Sequence, residues 1–173
     1  MDRERLRTVD VAGWPLPDNY LIELGRLSAL WASLEAALIV CLSKLAGFND
    51  TNNPVPFILV THASFPQRLD MLGALCEQLE SQHPHLTECS SVLIKLRAAQ
   101  KVRNKFQHNG LIANPETGQI ELAMGTARGK VKISIEPVDI LDIRAACFEV
   151  HEAQRALIQL VLQSDIPSKL GIP

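Results

Sequence analysis

Apolar residues recur every three or four positions over four long stretches of the chain, which is the spacing of one face of an α-helix. Such a stripe must be buried against other elements, so the four stretches predict a helical bundle around one core. The pattern predicts helices over about 19–46, 65–82, 86–109 and 137–163.

Polar residues and prolines indicate where these helices begin. Asp18 is a suitable N-cap for the first helix. Ser64, with Gln67 three residues later, forms the capping-box pattern at the start of the second. Pro137 suits the first turn of the last helix, where its missing N–H costs nothing. The helix starts are therefore predicted more sharply than the ends.

The apolar period changes between the third and the fourth helix. Short alternating segments over about 111–113, 119–124 and 131–135 are typical of strands, and they are separated by glycine-containing turns. We expect a small antiparallel hairpin or three-stranded meander as an insertion over about 111–135. Because two or three such strands are not stable alone, they must pack on the bundle or on a partner chain.

We expect a single domain over residues 1–173, since this length suffices for a sizeable core. The bundle with its insertion would occupy 18–163. Residues 1–17 read as an irregular lead-in whose Trp14 packs on the bundle, and 164–173 as a partly disordered tail. The connection over 48–63 combines turn chemistry with a short apolar run, and the pattern leaves its structure open.

The composition limits the kinds of partner that the protein is expected to bind. Hydrophobic residues make up 47% and charged residues 21%, which is ordinary for a globular protein, and the net charge is −2. No global basic field attracts nucleic acid, so any RNA contact would have to be local. This balance counts against a generic, high-affinity RNA binder.

Cysteine usage and hydropathy predict a cytoplasmic protein. The four cysteines fall inside predicted helices and form no CxxC pair, as expected for buried thiols in a reducing compartment. No apolar run follows the charged start of the chain, so we expect no signal peptide. The apolar span over 27–46 contains Glu35 and Lys44, which favours a buried helix over a membrane span. We expect no membrane association.

The candidate chemistry gathers at the end of the third predicted helix. At about 100° per residue, Arg103 lies only about 20° from Leu96, in the middle of the stripe that should face the core. Burying a guanidinium without a partner costs several kcal/mol, so another group must hold it. Asn104 and His108 are four apart and share a neighbouring face, and Gly110 suits a left-handed helix end.

Arg103 followed after four residues by His108, with polar Asn104 directly after the arginine, resembles the signature of the HEPN superfamily. The resemblance implies a HEPN-like antiparallel four-helix bundle, here with a small β-hairpin or meander insertion between helices 3 and 4. Many members of that superfamily resemble metal-independent ribonucleases. The resemblance therefore implies an RNA-directed protein, a possible endoribonuclease of toxin or phage-defence type, with no cofactor.

By this resemblance, His108 would transfer protons, Arg103 would face the phosphate, and Asn104 would orient the imidazole or hold a phosphate oxygen. One histidine is one short of an acid–base pair. HEPN-like proteins meet this need by dimerising, so we expect a homodimer with a composite site across a two-fold axis. An antitoxin or activator protein would be a further partner. Lys101 and Lys105 could guide a phosphate backbone, or belong to a solvated helix face.

A structural role is the alternative for the same residues. Arg103 would then pair with a carboxylate of the first helix, Glu35 being the first candidate and Glu23 its competitor. His108 would meet the carbonyl end of its helix dipole. The protein would be a non-catalytic helical dimerisation or interaction module. Full burial of Arg103 and His108 against either glutamate would favour this alternative.

A zinc site has weak support. Cys76, His83, His85 and Cys89 are close in sequence, but their spacing, C-x6-H-x-H-x3-C, matches no common zinc finger. Both cysteines also fit the apolar stripes of their helices. We therefore expect no metal.

Overall fold

The computed structural model describes residues 16–48, 50, 53–126, 129 and 131–163. These residues form a mainly helical structure with one small three-stranded antiparallel sheet, which confirms the expected balance of elements. The tail over 164–173 and the lead-in before Leu16, with Trp14, lie outside the described residues. In chain order the elements are α1 Asp18–Leu45, α2 Val55–Val60, α3 Phe65–Leu79, a 3-10 helix Pro84–Glu88, α4 Cys89–Gln107, β1 Gly110–Ala113, β2 Ile120–Thr126, β3 Lys132–Pro137 and α5 Ile140–Leu162.

One hydrophobic core joins the four long helices and the sheet. Leucines, with one isoleucine, supply most of its fully buried side chains, as the helical stripes predict. Leu122 brings β2 into the same core, so the insertion packs on the helices. The fully buried side chains include Leu27, Leu34, Leu38, Leu69, Leu72, Leu96, Leu122, Ile143, Val150 and Leu157.

Helices α1 and α5 are neighbours that run in the same direction. Near their starts, Arg144 Nε donates to Glu23 Oε1 at 2.9 Å. Ten residues further along both helices, Gln154 Nε2 donates to Ser33 Oγ at 2.8 Å. Because the contacting residues advance by ten in the same direction on both helices, the two helix axes are parallel. This pair therefore differs from the antiparallel arrangement expected for the bundle.

The other contacts of α1 complete the pattern of directions. Helix α4 is antiparallel to α1, because Gln107 contacts Ser28 while the earlier Arg103 lies over the later Trp31. Helix α3 begins beside the middle of α1, with the Phe65 ring 4.5 Å from the Trp31 ring, and runs parallel to it. Only α4 therefore opposes the other three long helices.

The connections between helices explain these directions. The chain between α1 and α3 returns along α1 through α2, the short helix that the sequence left open. Arg68, itself only 9% exposed, donates from Nε to the carbonyl of Val60 and from Nη2 to that of Thr61, both at 3.2 Å. These bonds hold the end of α2 against α3. Between α4 and α5 no such return is needed, because α4 ends and α5 begins beside the first part of α1, and the sheet connects them there.

Helix α1 is long and apolar enough to cross a membrane, judged by length and composition alone. A long core helix meets the same criterion. Its buried residues, from Leu27 to Leu42, lie on one stripe that faces the shared core. Exposed residues such as Ile22 and Val40 occupy its other side.

The sheet has the order β1-β2-β3, with both pairs antiparallel. Leu122 lies opposite Leu111 and Glu136, and the face that carries Leu122 turns toward the helices. The opposite face carries Ile133 and Ile135, both largely exposed. The sheet is thus covered on one face only.

The predicted starts of two helices need correction. Pro137 does not enter the last helix but ends β3, and α5 begins at Ile140 with Asp139 as its N-cap. Helix α1 begins at Asp18 itself, so Pro17 takes the N-cap position. By contrast, the Ser64 capping box is confirmed, since the Ser64 N–H donates to Gln67 Oε1 at 2.8 Å.

The N-cap of α5 provides a first prediction. The N–H of Leu141 donates to Asp139 Oδ1 at 2.7 Å, and the N–H of Asp139 donates to Asp142 Oδ2 at 2.8 Å. Asp139→Ala should lower the free energy of unfolding by about 1 kcal/mol, because a helix N–H loses its acceptor. Urea unfolding followed by circular dichroism measures this change. Asp139→Asn should retain most of the stability, and equal losses in both variants would contradict the capping role.

Candidate functional site

The three candidate residues lie at the C-terminal end of α4. Arg103 and Asn104 are half-buried in its last turn, and exposed His108 is the C-cap, with its N–H donating to the carbonyl of Asn104 at 3.2 Å. Gly110 does not take the expected left-handed conformation. It begins β1 instead, so the chain leaves the helix directly into the sheet.

Arg103 connects the other two residues. Its Nη1 lies 2.8 Å from His108 Nε2 and 3.0 Å from Asn104 Oδ1. A guanidinium carries donors only, so His108 Nε2 must accept, which requires a neutral imidazole protonated on Nδ1. Protonation of Nε2 would replace this hydrogen bond with two opposed donors. The sequence motif therefore forms one contiguous cluster in the structure.

Trp31 holds the guanidinium from the side of the core. The Arg103 Cζ atom lies 5.2 Å from the centroid of the Trp31 ring, within the range of a cation–π interaction. Trp31 is only 5% exposed, and Arg103 Nε is buried with no hydrogen-bond partner among the described residues. An aromatic face thus fills the role that the sequence analysis expected of another group.

The two candidate carboxylates lie elsewhere. Glu35 Oε1 is 3.8 Å from Arg68 Nη1, and Glu35 therefore supports α3 rather than Arg103. Glu23, which is buried, pairs with Arg26 at 2.5 Å and with Arg144 at 2.9 Å. The suggested pairing of Arg103 with Glu35 or Glu23 is wrong, because other arginines lie closer to both glutamates.

The two lysines differ in their surroundings. Lys105 Nζ lies 3.5 Å from Glu136 Oε2 on β3, and 5.7 Å from the centroid of the Phe106 ring. Lys101 lies one turn earlier, and its side chain is exposed. Lys105 therefore connects the candidate site to the sheet, and Lys101 adds positive charge to the solvent side of α4.

The cluster can bind an anion and exchange a proton. A guanidinium fixed on an aromatic face presents donors to phosphate, and the adjacent imidazole has one ring nitrogen that can accept a proton. His108 Nε2 has a single lone pair, which accepts the hydrogen bond from Arg103. It can therefore take a proton only after that hydrogen bond is broken. A cavity of about 520 Å³, lined in part by Lys44, His83 and His85, lies elsewhere. His108 is exposed, so the candidate site is open to solvent on that side.

The cysteines are buried free thiols, as predicted. Burial raises the pKa of Cys41 to about 12 and that of Cys147 to about 11, which keeps these thiols protonated and unreactive at neutral pH. Within the described ranges, no group of three or more His, Cys, Asp or Glu side chains is placed to hold a metal ion. Cys76, His83, His85 and Cys89 accordingly form no such cluster.

Trp31 lies in the apolar stripe of the first predicted helix, and the sequence alone did not connect it to Arg103. The signal was available, because Trp31 and Arg103 each lie on the inner stripe of their helix. A buried cation can be held by a carboxylate, by backbone carbonyls or by an aromatic face, and only the carboxylate was considered. Which partner Arg103 meets depends on how close the inner stripes of α1 and α4 lie, and that distance is set by the tertiary structure.

The contact between Arg103 and Trp31 provides a second prediction. In a double-mutant cycle, Trp31→Leu and Arg103→Met should show a coupling of about 0.5–1 kcal/mol, because either change alone removes the cation–π interaction. Urea unfolding of the four proteins measures it. The matched control pairs Trp31→Leu with Arg97→Met, an exposed arginine of the same helix, and these two changes should be additive. Additivity in the Arg103 cycle would contradict the contact.

Comparison with protein-family models, with curated proteins and with solved structures finds no match to this chain. The HEPN resemblance therefore depends on the residues and their arrangement alone.

Proposed function

We propose that this chain is a cytoplasmic, HEPN-like RNA-directed protein and a metal-independent endoribonuclease of toxin or defence type. The observation that carries the proposal is the 2.8 Å contact between Arg103 and His108 at the exposed end of α4. Full burial of Arg103 and His108 against Glu35 or Glu23 would have favoured the structural alternative. The exposure of His108 and the other partners of both glutamates favour the RNA-directed hypothesis.

The proposed reaction is transfer of the RNA phosphoryl group to the neighbouring 2′-hydroxyl. Neutral His108, with its Nε2 released from Arg103, takes the 2′-hydroxyl proton as the 2′-oxygen attacks phosphorus. Arg103 faces the non-bridging oxygens, on which negative charge increases, and Asn104 holds the guanidinium or a phosphate oxygen. The bond to the 5′-oxygen breaks, and a protonated acid supplies its proton. The products are a 2′,3′-cyclic phosphate and a 5′-hydroxyl.

A second copy would supply the acid. Each chain contributes one histidine to the cluster, and a base and an acid are both needed in one turnover. We propose that two copies of the HEPN-like bundle place their Arg103–His108 pairs at one composite site on a two-fold axis. Lys101 adds positive charge beside this site. A toxin with such an activity needs an antitoxin or an activator protein as a control, which would be a further partner.

A specific observation also favours the non-catalytic alternative. Arg103 is held by Trp31, Asn104 and His108 together, and its Nε is buried. In this alternative, these contacts of Arg103, which we call the clasp, serve only to fix the end of α4 for a dimerisation or interaction surface. The two functions differ in what the loss of His108 would do, because a structural role predicts lost stability and a catalytic role predicts lost turnover.

The deciding experiment incubates purified protein with RNA and with a 2′-deoxy substrate of the same sequence, in the presence of a chelator. Cleavage should occur only where the 2′-hydroxyl is present, and it should disappear in Arg103→Ala and His108→Ala. Cleavage that survives both substitutions, or none by the wild type at any salt concentration or pH, would contradict the nuclease proposal. Circular dichroism of each variant identifies a loss of folding, which would favour the structural alternative.

A further inference from the structure

Strand β3 forms an open edge of the sheet. It pairs with β2 on one side, and in the described part of the chain no strand pairs with its other side. All of its residues are exposed, including Ile133 at 74% and Ile135 at 57%. An exposed strand with two large apolar side chains is a template for pairing with another strand.

The register shows which backbone groups point outward. The N–H of Val138 donates to the carbonyl of Ile120 at 2.8 Å, and the same register places Glu136 opposite Leu122. Hydrogen-bonded and non-hydrogen-bonded positions alternate along an antiparallel pair. Even-numbered residues of β3 therefore turn their backbone groups toward β2. Ile133 and Ile135 turn theirs toward the open edge.

The side chains of β3 are complementary to a second copy of the same strand. Its sequence from 132 to 136 is Lys-Ile-Ser-Ile-Glu. If two copies pair in antiparallel fashion about Ser134, Ile133 of each copy lies opposite Ile135 of the other. Lys132 of each copy then lies opposite Glu136 of the other, on the reverse face of the sheet. The same residues thus match in shape, charge and outward backbone groups.

We propose that two copies of this chain associate through β3, joining their three-stranded sheets into one six-stranded antiparallel sheet. The register about Ser134 is preferred over its neighbours. Pairing about Ile133 would place Lys132 opposite Ser134 and lose the charge pairs. Pairing about Ile135 would place Ser134 opposite Glu136 and would also lose the charge pairs. A two-fold axis at Ser134 closes the assembly at two copies.

This association goes beyond the proposed function, because it is argued from strand chemistry and requires no RNA. Glu136 also lies 3.5 Å from Lys105, in the turn of α4 that carries the candidate site. Glu136 would then lie between Lys105 of its own chain and Lys132 of the second copy. The interface would be adjacent to the candidate site in each copy.

The test measures the mass of the RNA-free full chain by sedimentation across a wide range of concentrations. The wild type should show a monomer–dimer equilibrium. Lys132→Glu or Glu136→Lys should each weaken association by about tenfold or more, because like charges then face each other at both ends of the pair. An equimolar mixture of the two variants should associate about as well as the wild type, because opposite charges face each other again.

Matched controls separate this interface from general effects on the sheet. Ile135→Lys should weaken association, whereas Ile112→Lys, on the same face but on β1, should not. Lys105→Gln removes the ion pair of Glu136 within the chain and should leave the dimer intact. Circular dichroism verifies that each variant is folded.

Three outcomes would overturn the proposal: a monomeric wild type, a dimer unaffected by the charge reversals and by Ile135→Lys, or a mixture of the two variants that fails to associate. Each is independent of RNA cleavage. A nuclease that dimerises through another surface would contradict this interface and leave the proposed function standing. A β3 dimer that does not cleave RNA would support this interface and contradict the proposed function.

Discussion

His108→Ala is expected to lower the rate constant of RNA cleavage by about 10²–10⁴-fold, while stability changes by less than about 0.5 kcal/mol. The rate falls because the proposed proton acceptor is lost from the composite site. Stability changes little because His108 is exposed and follows the last residue of α4. Single-turnover cleavage of a labelled RNA measures the rate, and urea unfolding measures the stability.

Two control variants make this result specific. His62→Ala removes another exposed histidine, at the end of α2, and should leave cleavage unchanged. Arg103→Lys keeps a positive charge but loses the planar fork of donors, so it should retain only a small part of the activity. If His62→Ala and His108→Ala reduced cleavage equally, the activity would not belong to the α4 cluster. If His108→Ala instead cost several kcal/mol in stability, the clasp would be structural.

Leu157→Ala is expected to lower the free energy of unfolding by about 3–4 kcal/mol. Leu157 is fully buried on α5, within the core that all four long helices share. Truncation removes apolar contacts and leaves a cavity that the surrounding side chains fill only in part. Urea unfolding monitored by circular dichroism at fixed protein concentration measures the loss.

The matched control is a leucine on the same helix. Leu141 is 63% exposed, so Leu141→Ala should change stability by no more than about 0.5 kcal/mol. The contrast tests the orientation of α5, because the substitution is the same in both variants. Similar losses at the two positions would mean that α5 does not bury the stripe that contains Leu157.

The hydrophobic pattern predicted the elements well, and the reason is visible in particular residues. Leu27, Leu34 and Leu38 recur at helical spacing, and all three are fully buried on α1. A periodic apolar stripe depends on local spacing alone, and its burial is favourable wherever the helix packs. The strands were predicted for the same reason. The proximity of Asn104 and His108 was predictable too, because residues four apart at a helix end are neighbours whatever the rest of the fold does.

The partners of these residues were predicted less well. Glu35 was expected beside Arg103 but lies beside Arg68, whose position depends on the return path through α2. Arg103 on α4 is instead held by Trp31 on α1. Long-range pairs of this kind depend on helix directions and on which stripes meet, and the sequence pattern does not contain either.

The sequence by itself determined that the chain is mainly helical, that strands interrupt it after α4, and that an arginine, an amide and an imidazole meet at one helix end. These features depend on neighbours within a turn or a strand, where local geometry is nearly invariant. Only the tertiary structure decided that three long helices run parallel, that Trp31 carries Arg103, and that β3 leaves an open edge. Those features depend on how distant segments pack, because many arrangements of the same stripes bury similar apolar area and differ only in their specific contacts.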